Sequence, residues 1–250
     1  MTSTPSFAFR TRTAQEPEPD LTLLVVIHRA IRQDLQRLTA RLAEIADRGP
    51  SPSQARAISR YTAALLTQIR ARHRGEEEIL WPVIAATAGQ AVDLTPLTDD
   101  HQAIDAAVGR ASQALAAFRA GPGTAAELRA SVSELGEMLD EHIADKEGQL
   151  FPAMRRYLTA DAHRWCERQI QRTASQPGLR FTAPWLARYA QPDELSGRLP
   201  GGGWPARILL SATRRRYARL ERQAFRASPA RPTTPATRQP HMPITTRRRS

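Results

Sequence analysis

Apolar residues recur at alternating steps of three and four along residues 20–158, which is the spacing of one face of an α-helix. Four such stretches follow one another, and none of them alternates with the period of two expected of a strand. Capping residues mark the starts of the helices, with proline in the first turn of two helices and a capping-box spacing in the last. The predicted starts lie at Asp20, Ser51-Pro52, Thr95-Pro96, and Thr124 with Glu127.

The links between these stretches are short and contain helix-breaking residues. Gly49-Pro50 ends the first helix, and Gly121-Pro122-Gly123 ends the third. Four long amphipathic helices with short links predict an all-α fold, an up-down-up-down four-helix bundle over residues 20–158.

An internal repeat divides the predicted bundle into two similar helical hairpins. His28-Arg-Ala-Ile31 matches His101-Gln-Ala-Ile104, and the stretch 73–82 matches the stretch 142–152. Both of these stretches run from a histidine to a proline. We therefore expect the two hairpins to be related by a pseudo-twofold axis.

The chain extends beyond the bundle at both ends. Residues 1–19 are rich in Ser, Thr, Pro and Glu and are predicted to be a flexible arm. Residues 159–227 are a predicted extension made of a short helix, irregular chain around Pro184 and a basic amphipathic helix over 207–226. Residues 228–250, mostly Pro, Thr and Arg, are predicted to be a disordered basic tail.

The net charge of +11 is concentrated at one end of the chain. Residues 201–250 hold twelve Arg and one acid, Glu221, which accounts for the whole excess because residues 1–200 are balanced. This distribution excludes a uniformly basic nucleic-acid-binding protein. Two interpretations remain for the helix over 207–226: it packs on the bundle with its Arg face in water, or it binds nucleic acid or anionic lipid.

Other classes of protein are excluded by what the sequence lacks. The single cysteine, Cys166, excludes an internal disulfide framework and a cysteine-based zinc site. The longest apolar run, Leu23 to Ile27, is too short to span a membrane, and the N-terminus lacks the pattern of a leader. We therefore expect a soluble, cytoplasmic protein. No P-loop, dinucleotide fingerprint or nucleophile elbow is present.

Four of the six histidines fall one per helix on the apolar face, whereas His163 and His241 lie outside the predicted bundle and are expected to be exposed. The four are His28, His73, His101 and His142. Four neutral imidazoles in one core would leave several ring nitrogens without partners, at a cost of about 1–3 kcal/mol each. A shared cation removes this cost, because each imidazole then binds the cation and donates its other N–H outward.

Carboxylates accompany these histidines. Glu77 lies four residues after His73, and Glu147 is its counterpart in the repeat, since each lies five residues before a proline. Further ligands or outer hydrogen-bond partners could come from Asp105, Glu76 and Asp145. Nitrogen and carboxylate ligands without thiolate suit Fe, Mn or Zn, and two carboxylates able to bridge suit a pair of ions.

In this pattern the sequence resembles the hemerythrin and HHE cation-binding domains, which are four-helix bundles with a non-haem di-iron centre. The resemblance covers residues 20–158 and implies the ligand set His28, His73, Glu77, His101, His142 and Glu147. Some bacterial members carry His-x3-Glu on the last helix, and on that pattern Lys146 stands at the carboxylate position, where it would weaken metal binding.

The resemblance also implies a function. Two non-haem irons, with Zn or Mn as alternatives, would bind or sense dioxygen, nitric oxide or peroxide, or the protein would handle iron. The alternative is a regulatory module in which the bundle holds a structural or single cation and the basic tail contacts DNA or a partner. We expect a binding protein rather than an enzyme; the enzymatic alternative is a peroxide-consuming di-iron oxidoreductase. The oligomeric state is left open.

Overall fold

The computed structural model describes residues 9–47, 49–120, 124–173, 176–191, 193–194 and 204–226. Within these ranges the chain is helical and contains no strand, so the all-α prediction is confirmed. The helices are α1 (Thr22–Ala46), α2 (Pro52–Gly75), α3 (Trp81–Ala88), α4 (Thr95–Ala120), α5 (Ala125–Asp145), α6 (Phe151–Tyr157), α7 (Ala160–Thr173), α8 (Gln176–Tyr189) and α9 (Trp204–Phe225).

The core of the fold is a group of four long helices, α1, α2, α4 and α5. Helix α5 packs against α1 and α4, and α4 in turn packs against α2. Their inward faces form one continuous apolar core, which includes the fully buried side chains of Leu38, Leu42, Ile58, Leu65 and Leu128. These are helical-spacing positions of the sequence pattern, and their burial supplies the main stabilising term of the bundle. The alternating direction of the four helices stays a prediction.

The predicted capping signals are confirmed in part. The hydroxyl of Ser51 accepts a hydrogen bond from the Gln54 amide, with Pro52 in the first turn, as predicted. Helix α4 begins at Thr95 as predicted, although here the carboxylate of Asp93 accepts the Thr95 amide hydrogen bond. The capping box at Thr124 is wrong, because its backbone is not extended and its side chain makes no capping hydrogen bond.

Two π-helical turns interrupt the bundle at equivalent positions of the internal repeat. Glu76–Leu80 joins α2 to α3, and Lys146–Leu150 joins α5 to α6. The amide of the next residue closes each turn, from Trp81 to the Glu76 carbonyl and from Phe151 to the Lys146 carbonyl. A π-turn inserts one residue into the helix and changes which side chains face inward.

The prolines that follow these turns do not end the helical course of the chain. Pro82 and Pro152 lie in the first turn of α3 and α6, where proline is tolerated because its missing N–H has no obligatory partner. The chain thus continues as a helix from each π-turn into the helix that carries the proline.

The C-terminal extension is more regular than predicted. Pro184 lies inside α8, where irregular chain was expected, because α8 buries a row of aromatic side chains against α1 and α2. Trp185 is 1 % exposed, and Phe181 and Tyr189 are also buried. The gain from this burial exceeds the cost of one lost helical hydrogen bond. Helix α9 packs on α2 and α8 with arginines exposed, and the tail 228–250 lies outside the described residues.

Asp34 of α1 connects the extension to the bundle. Its carboxylate is fully buried and accepts hydrogen bonds from Tyr61 (2.7 Å), Trp185 (2.6 Å) and the Tyr189 hydroxyl. Arg37 lies 3.0 Å away and pairs with the same carboxylate. Burial raises the pKa of Asp34, but these donors and the guanidinium offset much of that effect. One side chain of α1 therefore holds both α2 and α8.

The N-terminal arm is partly packed rather than free. The Arg12 amide donates to the Tyr157 carbonyl (2.8 Å), and the Thr11 hydroxyl donates to the Thr87 carbonyl (2.6 Å). These hydrogen bonds join the arm to α6 and α3, residues 1–8 lie outside the described part, and the flexibility of the arm stays a prediction. His163 also differs from expectation, since it lies on the buried face of α7 and is 2 % exposed. Among the described helices, none combines the length and apolar character needed to cross a membrane.

Replacing Asp34 by alanine should lower the free energy of unfolding by about 3–5 kcal/mol, because Arg37 and three buried donors lose their shared acceptor. Urea denaturation measures this change. Glu134→Ala is the matched control: it removes an ion pair that is about half exposed, and should cost less than about 1 kcal/mol. Equal effects of the two substitutions would show that Asp34 is not the connection described above.

Candidate metal centre

Four buried histidines, one from each bundle helix, lie beside the π-turns. The ring centroids of His73 and His101 are 4.1 Å apart and nearly parallel, and those of His101 and His142 are 4.8 Å apart. The Nε2 atoms of His101 and His142 approach to 3.1 Å. The potential ligand atoms of His73, His101 and His142 all lie within 4.8 Å of one another. The ring of His28 stacks instead on Phe151.

Each of the four imidazoles presents its Nδ1 atom to a carboxylate at the edge of the bundle. His28 faces Glu147 and His101 faces Glu77, both at 2.8 Å, and these two pairs are equivalent under the internal repeat. The remaining two pairs are His73 with Asp105 at 3.3 Å and His142 with Asp100 at 3.1 Å. A carboxylate fixes the tautomer, because the imidazole donates its Nδ1–H to it and keeps the Nε2 lone pair for a metal.

Burial keeps three of these imidazoles, those of His28, His73 and His142, neutral. Removal from water lowers the pKa of His28 and of His73 to about 4, and burial together with the nearby Lys146 ammonium lowers the pKa of His142 to about 2. Metal ions bind the neutral imidazole. At neutral pH the three rings are therefore in the form that binds a metal.

Glu76 is the fully buried carboxylate of the centre. Its Oε1 atom accepts hydrogen bonds from the Lys146 ammonium at 2.6 Å and from the Arg72 guanidinium at 2.8 Å. These two cations hold the pKa of Glu76 well below its usual range, although burial alone would raise that pKa. The Oε2 atom lies 3.3 Å from His101 Nε2 and has no hydrogen-bond donor.

The donor set fits a cation. When His101 donates its Nδ1–H to Glu77, its Nε2 lone pair faces both the Glu76 Oε2 atom and the Nε2 atom of His142. Facing lone pairs in a buried site repel one another and lack the proton that would join them. One metal ion bound by the three clustered imidazoles and this oxygen would satisfy all four atoms. Three nitrogens and one carboxylate oxygen are ligands that suit Fe, Zn or Mn.

Comparison with known families agrees with this geometry. Residues 20–154 match the family model of the Hemerythrin HHE cation binding domain. The chain belongs to this family. The matched range contains all four histidines of the HHE domain and both π-turns. No curated protein and no solved structure matches the chain.

The HHE domain brings some of the predicted ligands together and leaves others at the edge. His73, His101 and His142 form the cluster, whereas His28 stands apart from it. The other predicted residues lie outside the cluster. The side chains of Glu77 and Glu147 contact Nδ1 atoms and are 43 % and 34 % exposed. Asp105 also contacts an Nδ1 atom, and Asp145 is exposed beside Gln149. The ligand roles of Glu77 and Glu147 thus stay predictions from the sequence.

Sequence reasoning gave Glu76 as a possible further ligand or outer hydrogen-bond partner, and it did not include Asp100 or Arg72. Glu76 is the central carboxylate because the π-turn that begins at this residue turns it inward in place of Glu77. One signal in the sequence could have indicated this position. The repeat pairs Glu76 with Lys146, and opposite charges at symmetry-equivalent positions are well placed to meet across a pseudo-twofold axis.

Replacing Glu77 by alanine should weaken metal binding by about 10- to 100-fold without abolishing it, because the substitution removes the acceptor that orients His101. Competition with a chromophoric chelator measures the affinity. Glu78→Ala is the matched control, since Glu78 is the exposed neighbour of Glu77 and should leave the affinity unchanged. Complete loss of the metal from Glu77→Ala would instead identify Glu77 as a direct ligand.

Proposed function

We propose that this HHE domain binds iron through His73, His101 and His142, with Glu76 as the carboxylate ligand, and binds or senses a small molecule there. The observation that supports the proposal is the close approach of the buried His101 Nε2 atom to His142 Nε2 and to Glu76 Oε2, an oxygen that has no hydrogen-bond partner. Zn and Mn fit the same donor set and are the alternatives for the metal. The sequence expectation of two irons stays a prediction, because the histidine cluster alone supports one ion.

A bound iron would supply an open coordination position for dioxygen, nitric oxide or peroxide, together with any redox chemistry. The protein's own residues provide the setting. The indole of Trp81 stacks on His101 at 5.6 Å, and its Nε1–H has no acceptor in the described structure. Trp81 thus shields the centre from water and leaves a hydrogen-bond donor unused near it.

The site favours ligand binding over turnover. Burial and Lys146 keep His142 neutral, and the buried Glu76 carboxylate is kept ionised by its two cationic partners. His142 and Glu76 are therefore not poised to exchange a proton near neutral pH, as a general acid or base must be. A peroxide-consuming oxidoreductase stays the enzymatic alternative. We propose that the protein acts in the cytoplasm as a binding or sensing protein.

Metal analysis with an optical spectrum tests the proposal. Purified protein reconstituted anaerobically with Fe(II) should retain iron through gel filtration, and the double variant His73→Ala with His142→Ala should retain almost none. His163→Gln is the matched control, because His163 is as buried as the ligands but lies outside the cluster. A wild-type metal content near zero, unchanged in the double variant, would reject the proposal.

A second candidate function, binding of a polyanion such as DNA by the extension, has its own structural support. A groove of about 580 Å³ lies between α2, α8 and α9, with the buried aromatic rings of Phe181 and Tyr217 at its base. Exposed arginines line it, and none of them forms an ion pair with a described residue. They are Arg60, Arg180, Arg216 and Arg219.

The DNA-binding alternative predicts binding that falls steeply with salt, because each phosphate contact releases counterions. In fluorescence anisotropy with a short DNA duplex, replacing both Arg216 and Arg219 by alanine should lower the affinity and reduce the slope of log K against log salt by about two. Arg215 lies on the same helix but outside the groove, so Arg215→Ala should reduce this slope by at most about one. Absence of DNA binding at low salt would exclude this function.

A further inference from the structure

The two repeats of the HHE domain carry opposite charges at equivalent positions, the first residues of their π-turns. Glu76 and Lys146 are each the first residue of a π-turn, and each lies five residues before the aromatic residue that closes the turn. Both side chains are buried, with exposures of 0 % and 4 %. The pseudo-twofold relation therefore places an ammonium where a symmetric centre would carry a second inward carboxylate.

The two oxygens of Glu76 have different partners. The Oε1 atom is held by the Lys146 ammonium at 2.6 Å and by Arg72 at 2.8 Å. The Oε2 atom faces His101 Nε2 at 3.3 Å and has no donor. One oxygen is thus satisfied by cations that belong to the chain itself, and the other is left for a cation from solution.

We infer that Lys146 is a built-in cation that takes the place of a second metal ion, so that the centre binds one ion per chain. This inference rests on the proposed function, since it concerns the same site. Di-metal sites in helical bundles need inward carboxylates from facing helices to bind both ions. Here Glu76 is shared between one metal position and an ammonium, and the ammonium repels a second divalent ion.

His28 is the histidine that this arrangement leaves unused. Its Nε2 atom is buried and has no partner, although its Nδ1 atom contacts Glu147 at 2.8 Å in the same way as a metal-binding histidine. It stands outside the histidine cluster and stacks on Phe151, the residue that closes the π-turn of Lys146. His28 is thus an oriented imidazole on the half of the centre where the ammonium lies.

The charge balance agrees with this assignment. Without metal, the Glu76 carboxylate is neutralised by Lys146, and the Arg72 guanidinium is 15 % exposed. The fully buried Glu76 carboxylate is therefore compensated by charges of the chain before the ion arrives, which lets the metal-free protein fold. A carboxylate in place of Lys146 would face Glu76 and require a second cation.

The number of bound ions tests the inference. Titration of the metal-free chain with Co(II), followed by metal analysis after gel filtration, should give about one ion per chain for the wild type and about two for Lys146→Glu. His28→Ala is the discriminating second substitution. It should leave the wild-type stoichiometry at one, because His28 is not a ligand there, and return Lys146→Glu from two ions to one.

The outcomes separate this inference from the proposed function. Two ions in the wild type would overturn the role of Lys146 and leave metal binding intact. One ion in both the wild type and Lys146→Glu would also overturn it. No ion in the wild type would reject the proposed function itself. Reconstitution with iron adds an independent readout: an isolated high-spin ferric ion gives an EPR signal, whereas a coupled diferric pair is silent.

A second variant covers the case in which Lys146→Glu does not fold. Lys146→Met removes the ammonium at nearly constant volume and adds no ligand, while Arg72 still pairs with Glu76. The stoichiometry should stay at one ion, and the affinity for Co(II) should rise at least tenfold, because a positive charge beside the ion is gone. An unchanged or weaker affinity would show that the ammonium does not compete with a cation, and would overturn the inference.

Discussion

The buried carboxylate of Glu76 and its need for positive charge determine the arrangement of the centre. A carboxylate removed from water is stable only when cations or strong donors surround it, since an unpaired one would become protonated or unfold the site. Lys146 and Arg72 meet this requirement at one oxygen, and the other oxygen faces the Nε2 atom of His101. The donor set for a metal and the ammonium beside it are two consequences of the same requirement.

The π-turns determine which residues meet this requirement. Each turn shifts the helix by one residue, so that Glu76 and Lys146 point inward while Glu77 and Glu147 reach the Nδ1 atoms of His101 and His28. The outer carboxylates orient the imidazoles, and the inner pair determines the charge at the centre. The same backbone feature thus produces both layers of the site.

A second buried carboxylate, Asp34, satisfies the same requirement by different means. It has one cationic partner, Arg37, and takes three neutral donors from Tyr61, Trp185 and Tyr189. Because its acceptor capacity is used within the chain, it provides no opening for a metal. The role of Asp34 is structural, because it anchors α8 to the bundle although that helix contains Pro184.

The sequence by itself determined the helices, their apolar faces, the family and the four histidines, because these follow from local spacing along a helix. It did not determine which carboxylate lies at the centre. That choice depends on the π-turns, which add a residue only where tertiary packing offsets their cost. The helical course of α8 through Pro184 was likewise decided by contacts with the distant Asp34. Periodicity thus identified the side chains available, and the tertiary structure decided which of them meet.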